Sequence, residues 1–226
     1  EDGNTLYIRP LACAFDPVIS ARVANKYRFY VMTSPVGSYY QRPVKLTTSQ
    51  KYVRAAKGGV GDAKTAGNYA ASFYPAKKAQ ENGFDQVLWL DASEHEYIEE
   101  VGTMNIFFVI DGVLVTPELS GTILPGITRN SIIQLAKHWD MPVQERRISI
   151  EEVMQAGKKG TLDEVFGAGT AAVVAPVDEI HHDGESVTLN IESRGPVGKR
   201  FYDTITGIQR GNLEDPFNWI TPIDVG

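Results

Sequence analysis

Apolar and polar positions change period along the chain, and those changes predict its elements. Tyr27–Ser34 (YRFYVMTS) alternates and is rich in β-formers, which predicts a strand broken by Pro35-Val-Gly37. Lys45–Thr48 is a second, shorter strand candidate, and Gln86–Leu90 (QVLWL) reads as a buried strand followed by another at Tyr97–Val101. Asn105–Thr116 is two apolar runs around Asp111-Gly112, a dipeptide suited to the two left-handed positions of a type I′ turn, so this stretch predicts a hairpin. Tyr69–Glu81 has a helical composition, with Pro75 as a kink point and Asn82-Gly83 as a stop. Thr128–Trp139 is amphipathic at helical spacing, and Ser149-Ile-Glu-Glu152 is a capping box opening a helix that Gly157 or Gly160 ends. Glu164–Val177 reads as two strands separated by Gly167-Ala-Gly169, Ser186–Ile191 as a short strand, and Gly198–Gln209 as the last helix. Strands and helices are intermixed, so the expected class is a mixed α/β (α+β) fold. One domain over residues 1–226 is the simplest assignment.

Charge and cysteine usage narrow the chemistry. The net charge of -6 over 226 residues argues against a nucleic-acid partner, which needs a basic face. Cys13 is the only cysteine, which rules out an intrachain disulfide and a thiolate zinc site and fits a reducing cytoplasm. The longest apolar stretch, Ile106 to Ile110, is strand-sized, so no membrane span is expected. His181-His182 adjoins the turn-like Asp183-Gly184 and reads as a solvated turn, with no metal site expected. Glu1-Asp-Gly-Asn-Thr runs directly into Leu6-Tyr-Ile, so residues 1–5 read as a linker remnant at the start of a fragment.

One loop carries candidate chemistry. Lys57-Gly-Gly-Val-Gly-Asp-Ala-Lys64-Thr65 approaches a phosphate-binding P-loop, with Gly58 and Lys64-Thr65 in place but Ala63 where the second glycine belongs. The preceding Tyr52-Val-Arg-Ala-Ala-Lys57 also lacks the apolar strand such a loop follows. The competing use of Lys64 is a Schiff base: an amine in a small-residue loop leaves room for a flat ring, and a confined site makes it nucleophilic. A solvated surface lysine is the ordinary alternative, so the context decides.

That context resembles the branched-chain aminotransferases, of fold type IV among the pyridoxal-phosphate enzymes. The lysine segment Lys57–Tyr69 carries the likeness, with further blocks in the expected order. These are Leu6-Tyr-Ile-Arg-Pro10, Gln86-Val-Leu-Trp-Leu90, Glu100-Val-Gly-Thr-Met-Asn105, Ile123-Leu-Pro-Gly-Ile-Thr-Arg129 and Phe166-Gly-Ala-Gly-Thr-Ala171. The resemblance implies a D-amino-acid-aminotransferase-like large domain, a pseudo-barrel of strands with flanking helices, and pyridoxal 5′-phosphate as cofactor. It makes Lys64 the Schiff-base lysine and proton carrier, and Tyr69 the partner of the cofactor's phenolic oxygen. Glu100 becomes the carboxylate that keeps the pyridine nitrogen protonated; on a regular strand Glu99 would then face the other way, towards water. Ile127 and Thr128 would offer a helix N-terminus to the phosphate, joined by Thr170. The Thr170-Ala171 backbone would face the substrate carboxylate, and Tyr39 would border the pocket for a branched side chain. Arg54 could support the phosphate or pair with a structural carboxylate, and the second use is the favoured one.

The implied activity is transfer of the amino group of leucine, isoleucine or valine to 2-oxoglutarate, in a cytoplasmic homodimer. D-amino acid transaminases and aminodeoxychorismate lyases share the fold and the lysine and stay open as alternatives. The resemblance also implies a smaller domain ahead of Leu6, supplying a phosphate-binding arginine and substrate-contacting aromatics; a chain without it would be an inactive cofactor-binding fragment. The Cys-x-x-Cys redox pair of mammalian members is replaced here by Ala172 and Ala175.

Overall fold

The structure is a computed structural model that describes residues 5–37, 42–191 and 194–223. It divides into two compact units, residues 1–41 and 42–226. The first is a hairpin of β1 (Thr5–Ala14) and β2 (Tyr27–Val36), paired antiparallel from Thr5↔Val36 to Ala14↔Tyr27. The second strand runs through Pro35 to Val36, past the break expected at the proline. Leu6, Ile8, Phe29, Val31 and Met32 of this hairpin are all exposed.

The second unit is built on one mixed sheet. Its strands are β3 (Val44–Thr48), β4 (Gln86–Leu90), β5 (Ile98–Val101), β6 (Asn105–Ile110), β7 (Val113–Thr116), β8 (Val143–Glu145), β9 (Leu162–Gly169), β10 (Val173–His182) and β11 (Glu185–Thr188). They lie in the order β5-β4-β3-β10-β9-β6-β7-β8, with β11 added to β10. The pairs β3–β10, β3–β4 and β7–β8 are parallel and the rest antiparallel, which gives the mixed class expected from the sequence. Four helices flank the sheet among the described residues: α1 (Ala66–Glu81), α2 (Ile127–His138), α3 (Ile150–Lys159) and α4 (Pro196–Gln209).

Local chemistry sets several boundaries. Asp111 and Gly112 have φ of 49° and 75°, the type I′ signature, and they turn β6 into β7. Ser149 caps α3 by accepting from the Glu152 N–H at 3.0 Å, and Gly160 at φ 72° ends it. The separation of β9 from β10 differs from expectation. Gly167-Ala-Gly169 lies inside β9, and the turn is Thr170–Ala172. The glycine at 167 answers to packing: a Cβ there would come within 2.7 Å of Met104 Cε.

The main core lies where β6, β9 and β10 meet α2 and α4. Phe107, Phe166 and Phe201 are fully buried in it, Phe107 and Phe166 stacked with centroids 5.4 Å apart. Each such ring is worth about 1.5–3 kcal/mol relative to exposure. At its margin, the buried Glu164 of β9 accepts from the Val197 and Gly198 N–H groups at 2.7 and 2.9 Å, which fixes the start of α4 to the sheet.

Candidate active site

The loop ahead of α1 carries Lys64. Its Nζ donates to the Tyr69 hydroxyl at 2.9 Å, because α1 begins just after Thr65 and Tyr69 falls on the helix's first turn, where its side chain reaches back over the loop. Asn68 closes the loop by donating to the Val60 and Ala63 carbonyls at 2.7 and 2.9 Å. The strand before this loop ends at Thr48, ten positions ahead of Gly58, so the strand–loop–helix geometry of a P-loop is not formed.

Glu100 sits on β5 under a different constraint. Its carboxylate accepts from Arg54 Nε at 2.8 Å through Oε2 and from Arg54 Nη2 at 2.9 Å through Oε1. Oε1 also accepts from the Leu124 N–H at 2.7 Å. The pair is deeply buried, with the Arg54 and Glu100 side chains 7% and 4% exposed. Burial pushes the Glu100 pKa up to about 7, while the Arg54 charge and the Leu124 N–H pull it down and Glu99 raises it. Arg54 thus takes the carboxylate-pairing role that was favoured for it, and the carboxylate is Glu100.

Glu99 corrects an expectation. It does not face water: it is buried, its Oε1 accepts from the Thr122 hydroxyl, and burial raises its pKa. The reason is a bulge. Trp89 pairs with Glu100 and Leu90 with Ile98, so Glu99 is an extra residue and strict alternation fails at that point.

After β5 the chain reverses in two residues. Val101 and Met104 exchange backbone hydrogen bonds at 2.9 and 2.8 Å around Gly102 at φ 54°. The turn joins β5, which carries Glu100, to β6, which Asn105 opens, and both residues hold Leu124: Glu100 accepts its N–H, and Asn105 Nδ2 donates to its carbonyl at 2.9 Å. The other face of the Asn105 carboxamide presses on Gly126, where an added Cβ would collide with Oδ1. Asn105 was not singled out in the sequence; its place at the end of the Glu100–Asn105 block was the signal.

Gly126 is the N-cap of α2 and offers no side chain to the helix's first N–H groups. Thr128 therefore lies inside the first turn and is not the capping residue. The Ile127 and Thr128 N–H groups precede the first intrahelical donor, Asn130, whose N–H bonds the Gly126 carbonyl at 3.0 Å. Arg129 turns away, donating to the Pro117 carbonyl and Glu145. Asn105 pairs with Ala168, two residues before Thr170 and three before Ala171, and both of these are exposed in the β9–β10 turn. Lys64 is exposed and Ile127 is 81% exposed, so the described residues do not enclose the lysine as its confinement had been expected to do. Tyr39 lies outside the described residues.

The amino-transferase class IV family matches residues 3–180. The chain belongs to this family. Among its class IV relatives is a branched-chain-amino-acid aminotransferase 2 of Bacillus subtilis, 52% identical over 98% of this chain and 62% of that protein. The structure is similar to a branched-chain amino acid aminotransferase of Escherichia coli (33% identical, TM-score 0.77, 95% of this chain and 68% of that one). It is also similar to the T.th. branched-chain amino acid aminotransferase complexed with N-(5′-phosphopyridoxyl)-L-glutamate (32%, TM-score 0.80, 96% and 68%). This class IV chain spans about 62% of the length of the curated relatives it matches.

The site residues fit a pyridoxal phosphate. A carboxylate has about four acceptor positions; Arg54 and Leu124 take three on Glu100 and leave one on Oε2 for a ring N–H. The bare Gly126 cap leaves backbone donors for a phosphate. The histidines do not form a second centre. His181 and His182 end β10, half-buried, with His181 stacked on Phe84 and His182 bonded to Thr48 at 2.8 Å, so they are not a solvated turn. No metal-binding group occurs among the described residues, and no helix among them is long and apolar enough to cross a membrane. A cleft of about 160 Å³ is lined by Lys57, Asp91, Glu99 and Arg147, and a groove of about 590 Å³ by Thr48, Tyr52, Lys78 and His181; Lys64, Glu100 and Thr170 line neither.

Proposed function

We propose that the complete protein is a pyridoxal-phosphate-dependent transaminase moving the amino group of leucine, isoleucine or valine to 2-oxoglutarate. The observation that carries this reading is the Lys64–Tyr69 hydrogen bond in a loop joined through Arg54 to the buried Glu100. The names of the relatives support the branched-chain donor, and the phosphopyridoxyl-glutamate bound to one of them supports glutamate as the second amino acid.

The residues divide the work. Lys64 would supply the amine that holds the cofactor, and the same amine would carry a proton from the substrate Cα. Tyr69 holds that amine in place and offers its hydroxyl to the cofactor's phenolic oxygen. Glu100, whose protonation the Arg54 charge opposes, takes the ring N–H on its remaining acceptor position. The Ile127 and Thr128 N–H groups, with the hydroxyls of Thr128 and Thr170, receive the phosphate. Ala171 and Thr170 present backbone to the substrate carboxylate. When bound, the cofactor supplies an electron sink for the charge left on Cα. The reading includes a homodimer and a cytoplasmic setting.

The test is a single-turnover absorbance experiment on the complete, cofactor-loaded protein. Leucine, isoleucine and valine should each discharge the cofactor's visible band, and 2-oxoglutarate should restore it. A response to D-alanine or aminodeoxychorismate with none to the branched-chain amino acids would replace this reading by one of the related activities of the fold.

A further inference from the structure

We infer that Arg54 is a positioning residue whose guanidinium clamps the Glu100 carboxylate to both the lysine loop and the segment entering α2 and opposes its protonation. The inference rests on the role proposed above for Glu100.

Arg54 joins pieces of chain that are distant in sequence. Nε and Nη2 fork onto the Glu100 carboxylate at 2.8 and 2.9 Å. Nη1 and Nη2 donate to the Gly61 carbonyl in the lysine loop at 3.1 and 2.9 Å. Nη1 also donates to the Thr122 carbonyl at 3.0 Å, two residues before the Leu124 that Glu100 itself holds. Every N–H donor of the guanidinium is thereby committed, in a geometry a lysine cannot reproduce. The approach is tight at Gly61 too: a Cβ there would lie 2.5 Å from the Thr122 carbonyl oxygen, so the loop and the 122 segment are in backbone contact beneath the guanidinium.

The electrostatics point the same way. Burial drives Glu100 towards its neutral form, and the neighbouring Glu99, also buried, adds to that drive. Arg54 is the cation opposing both. A protonated Glu100 could not serve as counter-charge to a ring N–H⁺, so the guanidinium controls the state of the ring nitrogen through Glu100 without touching it. A purely structural ion pair would leave that nitrogen unchanged when the pair is removed.

The experiment loads the complete protein with pyridoxal phosphate labelled with 15N in the ring and reads the 15N shift, together with the rate of cofactor release. Wild type should report a protonated nitrogen and Glu100→Gln a neutral one. Arg54→Met should move the shift in the Glu100→Gln direction while Lys64 still carries the cofactor. Arg54→Lys should stay protonated but release cofactor roughly tenfold faster, since it keeps the charge and loses the fork. A protonated nitrogen in Arg54→Met overturns the inference. Should that variant not fold, Arg54→Lys decides: a wild-type release rate overturns it. A protonated nitrogen in Glu100→Gln would instead refute the role given to Glu100, a failure distinct from that of Arg54.

Discussion

The carboxamide oxygen of Asn105 occupies the space that a side chain on Gly126 would need, so the N-cap of α2 is set by contact with β6. The same carboxamide holds the Leu124 carbonyl, and the two contacts together fix the entry of the chain into the helix. Gly126→Ala should force Asn105 aside, costing about 1–3 kcal/mol of stability. It should also weaken cofactor binding by displacing the Ile127 and Thr128 N–H groups proposed to receive the phosphate. Chemical denaturation and cofactor titration measure the two effects. A variant with wild-type values in both would show that the contact yields freely.

Glu100 gives the cofactor-free protein a pH dependence of definite sign. Its folded pKa of about 7 lies above the ordinary value of 4.5 because the site is buried, so folding favours the protonated carboxyl. That contribution is complete below pH about 4.5 and is lost as pH rises through about 7. The raised pKa of Glu99 acts in the same direction. The melting temperature of the wild type relative to Glu100→Gln should therefore fall across this interval. A constant difference, or one that grows with pH, would contradict the buried setting assigned to Glu100.

Much of the fold was legible because its signals are local. Asp111-Gly112 needs only its own backbone angles to turn a hairpin, and Ser149 caps α3 through a residue three positions on. The lysine block was legible for a similar reason: Lys64 and Tyr69 meet across five residues and one helical turn. What stayed hidden depends on distant partners. Gly167 reads as a turn residue until Met104 is seen packed against it. Glu99 reads as solvent-facing until the bulge opposite Trp89 and Leu90 is known. Arg54 reads as an ambiguous cation, since Glu100 and Thr122 lie 46 and 68 residues away.

Glu164 is a buried anion whose hydrogen bonds, among the described residues, come from two backbone N–H groups. It stabilises the fold through the first turn of α4. Glu164→Ala should cost roughly 2–3 kcal/mol, the loss expected for buried charge-assisted bonds at a helix start. Urea denaturation reads this directly. A cost below about 0.5 kcal/mol, the range of an ordinary surface change, would mean α4 is held by its apolar face alone.

Tyr69→Phe removes the acceptor of the Lys64 hydrogen bond and leaves the ring in place. Turnover should fall by about tenfold, the equivalent of one hydrogen bond, with little change in melting temperature. Equal losses in stability and turnover would assign the hydroxyl to packing.

The central claim is that Lys64, and no other lysine, carries the cofactor. The complete protein, incubated with pyridoxal phosphate, is reduced with borohydride, digested and mapped by mass spectrometry. A phosphopyridoxyl group should appear on the peptide containing Lys64 and be absent after Lys64→Ala. Label spread over the exposed lysines, or persisting unchanged in Lys64→Ala, would contradict it.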